Sequence, residues 1–364
     1  MPSIPHVKDI ARLLIVKTSS IGDVVHALPV VEQIKRANPA MEIDWLVKRR
    51  CMGVLEGNPW IAAIRLVPDR LTPATLLALR RDLHARRYDC ALDMQGLFVS
   101  GLCAWLSGAP VRVGIDRNRE GNRYFLTHPV VAGKPSVDGR DRHAVDILFG
   151  FADALGATEE HTEFQPQPYL AQGAGSGFAA EIGALRGGGG DVVALNVGAS
   201  SVLKQWPTEH WVALATRLLE NGMNIVFVGD RHDSEIVGAI KPLLPSGSGV
   251  VDASGRTTLR QLASVLQACD LLVTGDTGPM HLAVAVGTPA VALFGSTNPR
   301  RTGPYGARNV VLDVHLDCSP CYRKPTCHGR VDCMKAIAPD DVYAAVRDRL
   351  SGNLAQGLPG AAHA

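Results

Sequence analysis

Three short loops carry the residue types that can hold a polar ligand and move a proton on it. Residues 18–23 (TSSIGD) set Ser19, Ser20 and Gly22 ahead of Asp23. Their hydroxyl and N–H groups can hold a polar ligand, and the Asp23 carboxylate can take a proton from an attacking hydroxyl. An aspartate at a helix start is also a good cap, here for a helix beginning at Val24, and both readings stand. Residues 196–207 (NVGASSVLKQWP) combine small residues, which let a ligand approach the backbone, with the hydroxyls of Ser200 and Ser201 and the ammonium of Lys204. That set suits a phosphate. In residues 275–281 (GDTGPMH), Pro279 marks a first helical turn. The unpaired N–H groups and positive dipole end of such a turn suit a pyrophosphate, and His281 adds a donor. No GxGxxG or GxxxxGK[ST] pattern is present, so a phosphate must be held some other way.

Each loop follows a short apolar run and leads into a helical pattern. The first run, ARLLIV, precedes TSSIGD, and VVHALPVVEQIKRANP then shows helical spacing up to a proline stop. Strand-like residues 42–47, 64–67, 88–94 and 111–116 alternate with helix-like stretches such as 73–87. A second alternation begins at residue 192, with strands predicted at 224–229, 250–252, 270–274 and 290–294. This β-α-β rhythm predicts parallel sheets in an α/β chain of two doubly wound, Rossmann-like halves. The proline- and glycine-rich stretch EFQPQPYLAQGAGSG separates them, giving domains over 1–168 and 169–350 and a fraying tail over 351–364. The glycine run 187–190 reads as a surface loop between a helix and the first strand of the second half.

At 364 residues and 46% hydrophobic content the chain can bury two cores. A net charge of +2 and 5% aromatics give neither the field nor the stacking surface of a nucleic-acid binder. Between residues 45 and 123, however, 13 Lys and Arg stand against 7 Asp and Glu. Residues 48–50, Arg117, Arg119 and Arg123 follow strand ends, where they can meet an acidic ligand; Arg80, Arg81, Arg86 and Arg87 read as solvated helix surface. The N-terminus lacks the pattern of a signal peptide and the most apolar stretch is broken by Asp276, His281 and prolines. A cytoplasmic protein with at most peripheral membrane contact is expected.

The eight cysteines are expected to be reduced in that compartment. Cys318, Cys321, Cys327 and Cys333 lie within CSPCYRKPTCHGRVDC, a spacing compatible with a structural zinc, with His328 as a competing ligand, or with plain thiols in a packed loop.

Taken together, VKTSSIGDVVHALP and, far downstream, GDTGPMHLAVAVGTPAVALFGSTNP resemble the paired signatures of glycosyltransferase family nine. The best-known members of that family are the ADP-heptose heptosyltransferases of the lipopolysaccharide core. DMQGLFVSG and VGIDRNRE resemble its heptosyltransferase I branch. The resemblance implies a GT-B fold of two Rossmann-like domains facing a cleft, an ADP-heptose donor on the second half and a lipid-linked inner-core acceptor on the first. It further implies inversion at the anomeric carbon, no cofactor and no catalytic metal. By the same resemblance Asp23 is the general base. Ser200, Ser201 and Lys204 form the phosphate loop, and Thr277, Gly278 and His281 the pyrophosphate-binding helix start. Asp276 bonds a sugar hydroxyl or braces its loop, and Asp233 or Glu235 in GDRHDSE holds the ribose. Ser19, Ser20, Gly22, Arg117 and Arg119 are expected on the acceptor side. Another acceptor (a second core heptose, a protein or a small metabolite), or a non-catalytic nucleotide binder, remains open at this level.

Overall fold

The computed structural model describes residues 3–115, 119–130, 142–158, 165–173, 177–247, 249–314, 316–321 and 327–352. It divides into two units, Met1–Phe164 and Gln165–Ala364. The division falls a few residues ahead of 168 because the segment after Phe164 is tied to the second unit. The Gln167 N–H donates to the Ala285 carbonyl at 2.6 Å.

In the first unit the strands are β1 (Arg12–Val16), β2 (Glu42–Val47), β3 (Ala63–Leu66), β4 (Cys90–Asp93), β5 (Val111–Ile115) and β6 (His128–Val130). The helices are α1 (Ile21–Ala37), α2 (Pro73–Ala85), α3 (Phe98–Leu106) and α4 (Ala144–Ala154). The sheet order is β3-β2-β1-β4-β5-β6, and every pairing is parallel. The strand β6 lies inside a stretch whose proline, glycine and charge signals concealed it. Strand β1 (RLLIV) is buried from Leu13 onward because helices cover both faces of a central parallel strand. A buried network ties β2 to its surroundings: Asp44 Oδ2 accepts from Tyr88 (2.7 Å), Arg65 (3.1 Å) and Arg86 (3.1 Å). Arg86, read from sequence as surface charge, is therefore structural.

The second unit repeats the plan with β7 (Val192–Asn196), β8 (Asn224–Val228), β9 (Val250–Asp252), β10 (Leu271–Gly275), β11 (Ala290–Phe294) and β12 (Val310–Asp313). Its helices are α5 (Ala179–Gly187), α6 (Thr208–Glu220), α7 (Asp233–Ile240), α8 (Leu259–Gln267), α9 (Gly278–Val286), α10 (Pro299–Thr302), α11 (Asp332–Lys335) and α12 (Pro339–Leu350). The order β12-β11-β10-β7-β8-β9 has the same topology as the first sheet, again all parallel. Its core packs Leu195, Phe227, Leu271 and Val273 against Trp211 and Leu214 of α6 and Val342 and Val346 of α12. The glycine run ends in a close approach: Gly190 has φ +84°, and a Cβ there would sit 2.0 Å from the Gly222 carbonyl oxygen. These are two doubly wound α/β units of the same topology.

Candidate active site

In a doubly wound sheet, ligands bind outside the carboxyl ends of the strands where the order reverses. In the first unit that point lies between β1 and β4, and in the second between β7 and β10. The loop after β1 leads into the first turn of α1, which carries Asp23; the loop after β7 carries Lys204, and the loop after β10 carries Asp276 and Thr277.

The helix that follows TSSIGD begins at Ile21, with Ser20 as its N-cap, not at Val24. Asp23 is thus the third helical residue rather than the cap. Its Oδ2 accepts the Ser20 N–H at 2.9 Å and the Ser20 hydroxyl at 2.8 Å, the acidic half of a capping box. Its Oδ1 faces the Lys17 ammonium at 3.4 Å. Lys17 is a buried lysine at the end of an apolar strand, and it also donates to the Met94 carbonyl at 3.0 Å. Burial around the Asp23 carboxyl pushes its pKa up. The Lys17 charge and the Ser20 N–H and hydroxyl outweigh that, so the carboxyl titrates below its ordinary value. The Asp23 side chain remains 43% exposed, which leaves room for a hydroxyl to reach it.

Two further residues set this loop and escaped the sequence reading. Gln95, just past β4, accepts the N–H groups of Thr18 (3.0 Å) and Ser19 (3.2 Å) through Oε1. Asp93 Oδ1 in turn accepts the N–H groups of Gln95 (3.1 Å) and Gly96 (3.0 Å). Asp93 is fully buried; burial raises its pKa against the lowering effect of those bonds. The Lys48 N–H donates to the Thr18 carbonyl at 3.0 Å, so the exposed basic residues 48–50 abut the same loop. Gly22 is buried within the first turn of α1. Arg117 lies outside the described residues, and of Arg119 only the backbone is described.

In the second unit the two strand-end loops are bonded together. Lys204 Nζ meets Asp276 Oδ2 at 2.6 Å and the Asp276 carbonyl at 3.2 Å. Asn196 Nδ2 reaches both Thr274 Oγ1 and Thr277 Oγ1 at 3.2 Å. Thr277 is the N-cap of α9, but its side chain makes no cap bond to the helix. It is directed to Asn196 and Thr274 instead. With Pro279 in the first turn and the following N–H groups directed along the helix axis, the start of α9 has the geometry of an anion site. Gly278 is half-buried and His281 buried in that turn. Ser201 caps the short turn Val202–Lys204 by accepting the Leu203 N–H at 3.3 Å, and Ser200 is exposed.

The GDRHDSE turn separates its two acids. Asp233 Oδ2 accepts the Asp230 N–H at 2.9 Å, and the carboxylate fills space left by two glycines. A Cβ on Gly198 would lie 1.5 Å from Asp233 Oδ1, and one on Gly229 2.4 Å from Oδ2. Asp233 therefore links the start of α7 to the loop after β7, while the Glu235 side chain is 80% exposed. Burial raises the Asp233 pKa, with the Asp230 N–H pulling the other way.

The model of glycosyltransferase family 9 (heptosyltransferase) matches residues 76–331. The chain belongs to glycosyltransferase family 9. It is 32% identical over 340 residues to lipopolysaccharide heptosyltransferase 1 of Pseudomonas aeruginosa, covering 87% of each chain. It is 28% identical to lipopolysaccharide core heptosyltransferase OpsX of Haemophilus influenzae, over 83% of this chain and 84% of that one. Among solved structures, a family 9 glycosyltransferase from Veillonella parvula superposes with a TM-score of 0.80 at 24% identity, covering 96% of this chain and 100% of that one. Escherichia coli heptosyltransferase WaaC with ADP does so at 0.73 and 24% identity, covering 93% and 99%.

Two other features of this family 9 chain bear on its chemistry. Cys318, Cys321 and Cys327 are half-buried and Cys333 is buried, all as free thiols. The Cys327 thiol is pulled below its ordinary pKa by backbone N–H groups, the Gly329 one foremost. Among the described residues no three or more His, Cys, Asp or Glu side chains gather as a metal-holding group. Nor is any helix among them long and apolar enough to cross a membrane.

Proposed function

We propose that this chain transfers heptose from ADP-heptose to a sugar hydroxyl of the lipopolysaccharide inner core, on a Kdo-lipid A type acceptor, in the cytoplasm. The observation that carries this reading is the placement of matching chemistry at both topological switch points: a proton acceptor in one unit, a cation and a helix start in the other. Family membership supplies the class of reaction.

The first unit takes the acceptor and the second the donor. Asp23 removes the proton of the acceptor hydroxyl, whose oxygen bonds to the anomeric carbon of heptose. The bond from that carbon to the ADP oxygen breaks with its electron pair, and attack from the face opposite ADP inverts the centre. Charge growing on the departing diphosphate is met by Lys204, by the Ser200 and Ser201 hydroxyls and by the N–H groups at Thr277 and Gly278, with His281 behind them. Stabilisation of that kind is worth several kcal/mol per well-placed group, without a metal. Glu235 is the exposed acid for the ribose. Ser19, Ser20, Arg117 and Arg119 hold the acceptor, the arginines by two-pronged bonds to its carboxylates.

The test is incubation with ADP-heptose and a panel of acceptors, following ADP release and product mass, with and without a chelator. ADP released only with a Kdo-lipid A acceptor, one heptose added, the opposite anomer formed and indifference to chelation are expected. Transfer from another nucleotide sugar alone, or activity that a divalent ion must restore, would show the proposal to be wrong.

A further inference from the structure

Helices α2 and α3 lie side by side on the first sheet. Their inner faces bury Leu79, Leu83, Cys103 and Ala104 in one core. The outer faces do not follow the usual rule of polar residues toward water. Phe98, Leu102 and Trp105 recur at helical spacing along α3, and Phe98 and Trp105 are 47% and 46% exposed. On α2, Leu77 is 48% exposed, and Leu71, just ahead of the N-cap Thr72, is 44% exposed. Four of the eight large apolar side chains left exposed among the described residues are therefore gathered on this one face, which is how interaction surfaces differ from scattered exposure.

Charge singles out what covers it. Arg80 and Arg81 follow Leu77 by three and four positions, on the same side of α2, and the Arg80 guanidinium stands 5.8 Å from the Trp105 ring centroid. The acid next to them in sequence, Asp82, is paired to Arg65 at 2.9 Å. The face is thus a tryptophan and aliphatic patch bordered by arginines. Tryptophan prefers the bilayer interface, and arginine can lay its stem on apolar surface while its head reaches phosphates.

We propose that the outer face of α2 and α3 docks on an anionic phospholipid bilayer, with Leu71, Leu77, Phe98 and Trp105 entering the headgroup region and Arg80 and Arg81 on lipid phosphates. Both helices leave the carboxyl edge of the sheet, the edge that carries Asp23. The purpose of this surface rests on the lipid-linked acceptor proposed above, but its test does not.

The full chain is sedimented with vesicles of phosphatidylcholine alone and of phosphatidylcholine with phosphatidylglycerol, at low and high salt. Binding is expected to the anionic vesicles only and to weaken with salt. Arg80→Glu/Arg81→Glu and, separately, Leu77→Ser/Trp105→Ser are each expected to lower the partition at least ~10-fold. Their thermal midpoints and ADP affinity should stay near wild type, and Leu243→Ser, on the other unit, should bind vesicles as wild type does. Absence of binding to anionic vesicles, equal binding to neutral ones, or folded variants that bind like wild type would overturn the proposal. So would a concentration-dependent dimer that these substitutions dissociate, because the face would then belong to a second copy. Vesicle binding without heptose transfer would instead leave the docking face standing and refute the proposed activity.

Discussion

The Lys204 ammonium and the Asp276 carboxylate form a 2.6 Å ion pair that joins the loop after β7 to the loop after β10, with side chains only 18% and 9% exposed. The lysine proposed to meet the diphosphate is therefore already held by an acid. The amine has three protons, of which the Asp276 carboxylate and carbonyl take two, so one remains for the proposed phosphate.

Lys204→Met should weaken ADP binding by on the order of 10- to 100-fold and slow turnover with it, as loss of a charge-assisted bond does. Asp276→Asn should tighten ADP by several-fold, because a like charge beside the diphosphate is gone, yet lower turnover because the lysine is no longer aimed. Calorimetry on both variants and on the double variant closes the cycle. Additive effects on ADP affinity would mean that the pair does not govern binding.

Asp23 must be tested with its helix-start role separated from its proposed chemistry. Asp23→Ala should cost about 1 kcal/mol of stability through the lost Ser20 bonds and at least ~10²-fold in turnover. Asp23→Asn keeps an oxygen for the Ser20 N–H, so stability should stay closer to wild type while turnover is still lost. An Asn variant retaining turnover within about threefold of wild type would leave Asp23 a helix-start residue only.

The Lys17 charge gives the pH dependence its sign. Because the Asp23 carboxyl titrates below its ordinary value, it should be ionised across the neutral range, and the acid limb of kcat/KM should lie below the usual carboxylate range. Its ion pair adds stability above the unfolded-state pKa, and that stability is lost as pH falls through the lower folded-state value. Lys17→Met should move the acid limb to higher pH. A pH-rate profile whose limb does not move would separate Lys17 from the base.

Much of this was legible in the sequence, and the part that was not is nonlocal. The loops at Asp23, Lys204 and Thr277 announced themselves through short-range patterns: an apolar run, a Ser/Gly turn, helical spacing. Lys17, just past the apolar run ARLLIV, carries no local sign of its role. Its partner Asp23 lies six residues on, across the turn into α1, while the Met94 carbonyl meets it through the β1–β4 pairing, 77 residues away. Gln95 was hidden for the same reason. The rhythm of strands and helices implied parallel sheets but not their order, which is what makes the switch points visible. Edge strands β6 and β12, three and four residues long, carry too little periodicity to be read.

Gln95 supplies a test of how far the loop ahead of Asp23 depends on one acceptor atom. Gln95→Ala leaves the Thr18 and Ser19 N–H groups without it, and should reduce kcat by on the order of tenfold with donor KM little changed, since a small displacement of a reacting group is costly. Gln95→Glu restores an oxygen at that place and should recover most of the loss. Equal kcat in the two variants would show that the bonds to Thr18 and Ser19 do not set the loop.

The last prediction concerns Gly198 and Asp233, which together fix the start of α7 against the loop after β7. With a Cβ 1.5 Å from Asp233 Oδ1, Gly198→Ala cannot be accommodated while that carboxylate stays where it is. The loop or the helix start must shift, at a cost of about 1–3 kcal/mol typical of overpacking. Since the same loop carries Ser200, Ser201 and Lys204, ADP affinity should fall together with the thermal midpoint. Asp233→Ala alone removes the Asp230 bond and should lower stability by about 1 kcal/mol while leaving ADP affinity within about threefold. Glu235→Ala should do the reverse, because its side chain is 80% exposed and meets only the exposed His232, at 4.0 Å. Combining Gly198→Ala with Asp233→Ala removes the clash and should return much of the lost stability and affinity. If the double variant were no better than Gly198→Ala, the glycine would be required for ligand approach rather than for Asp233. A large affinity loss in Asp233→Ala alone would make Asp233, not Glu235, the ribose ligand.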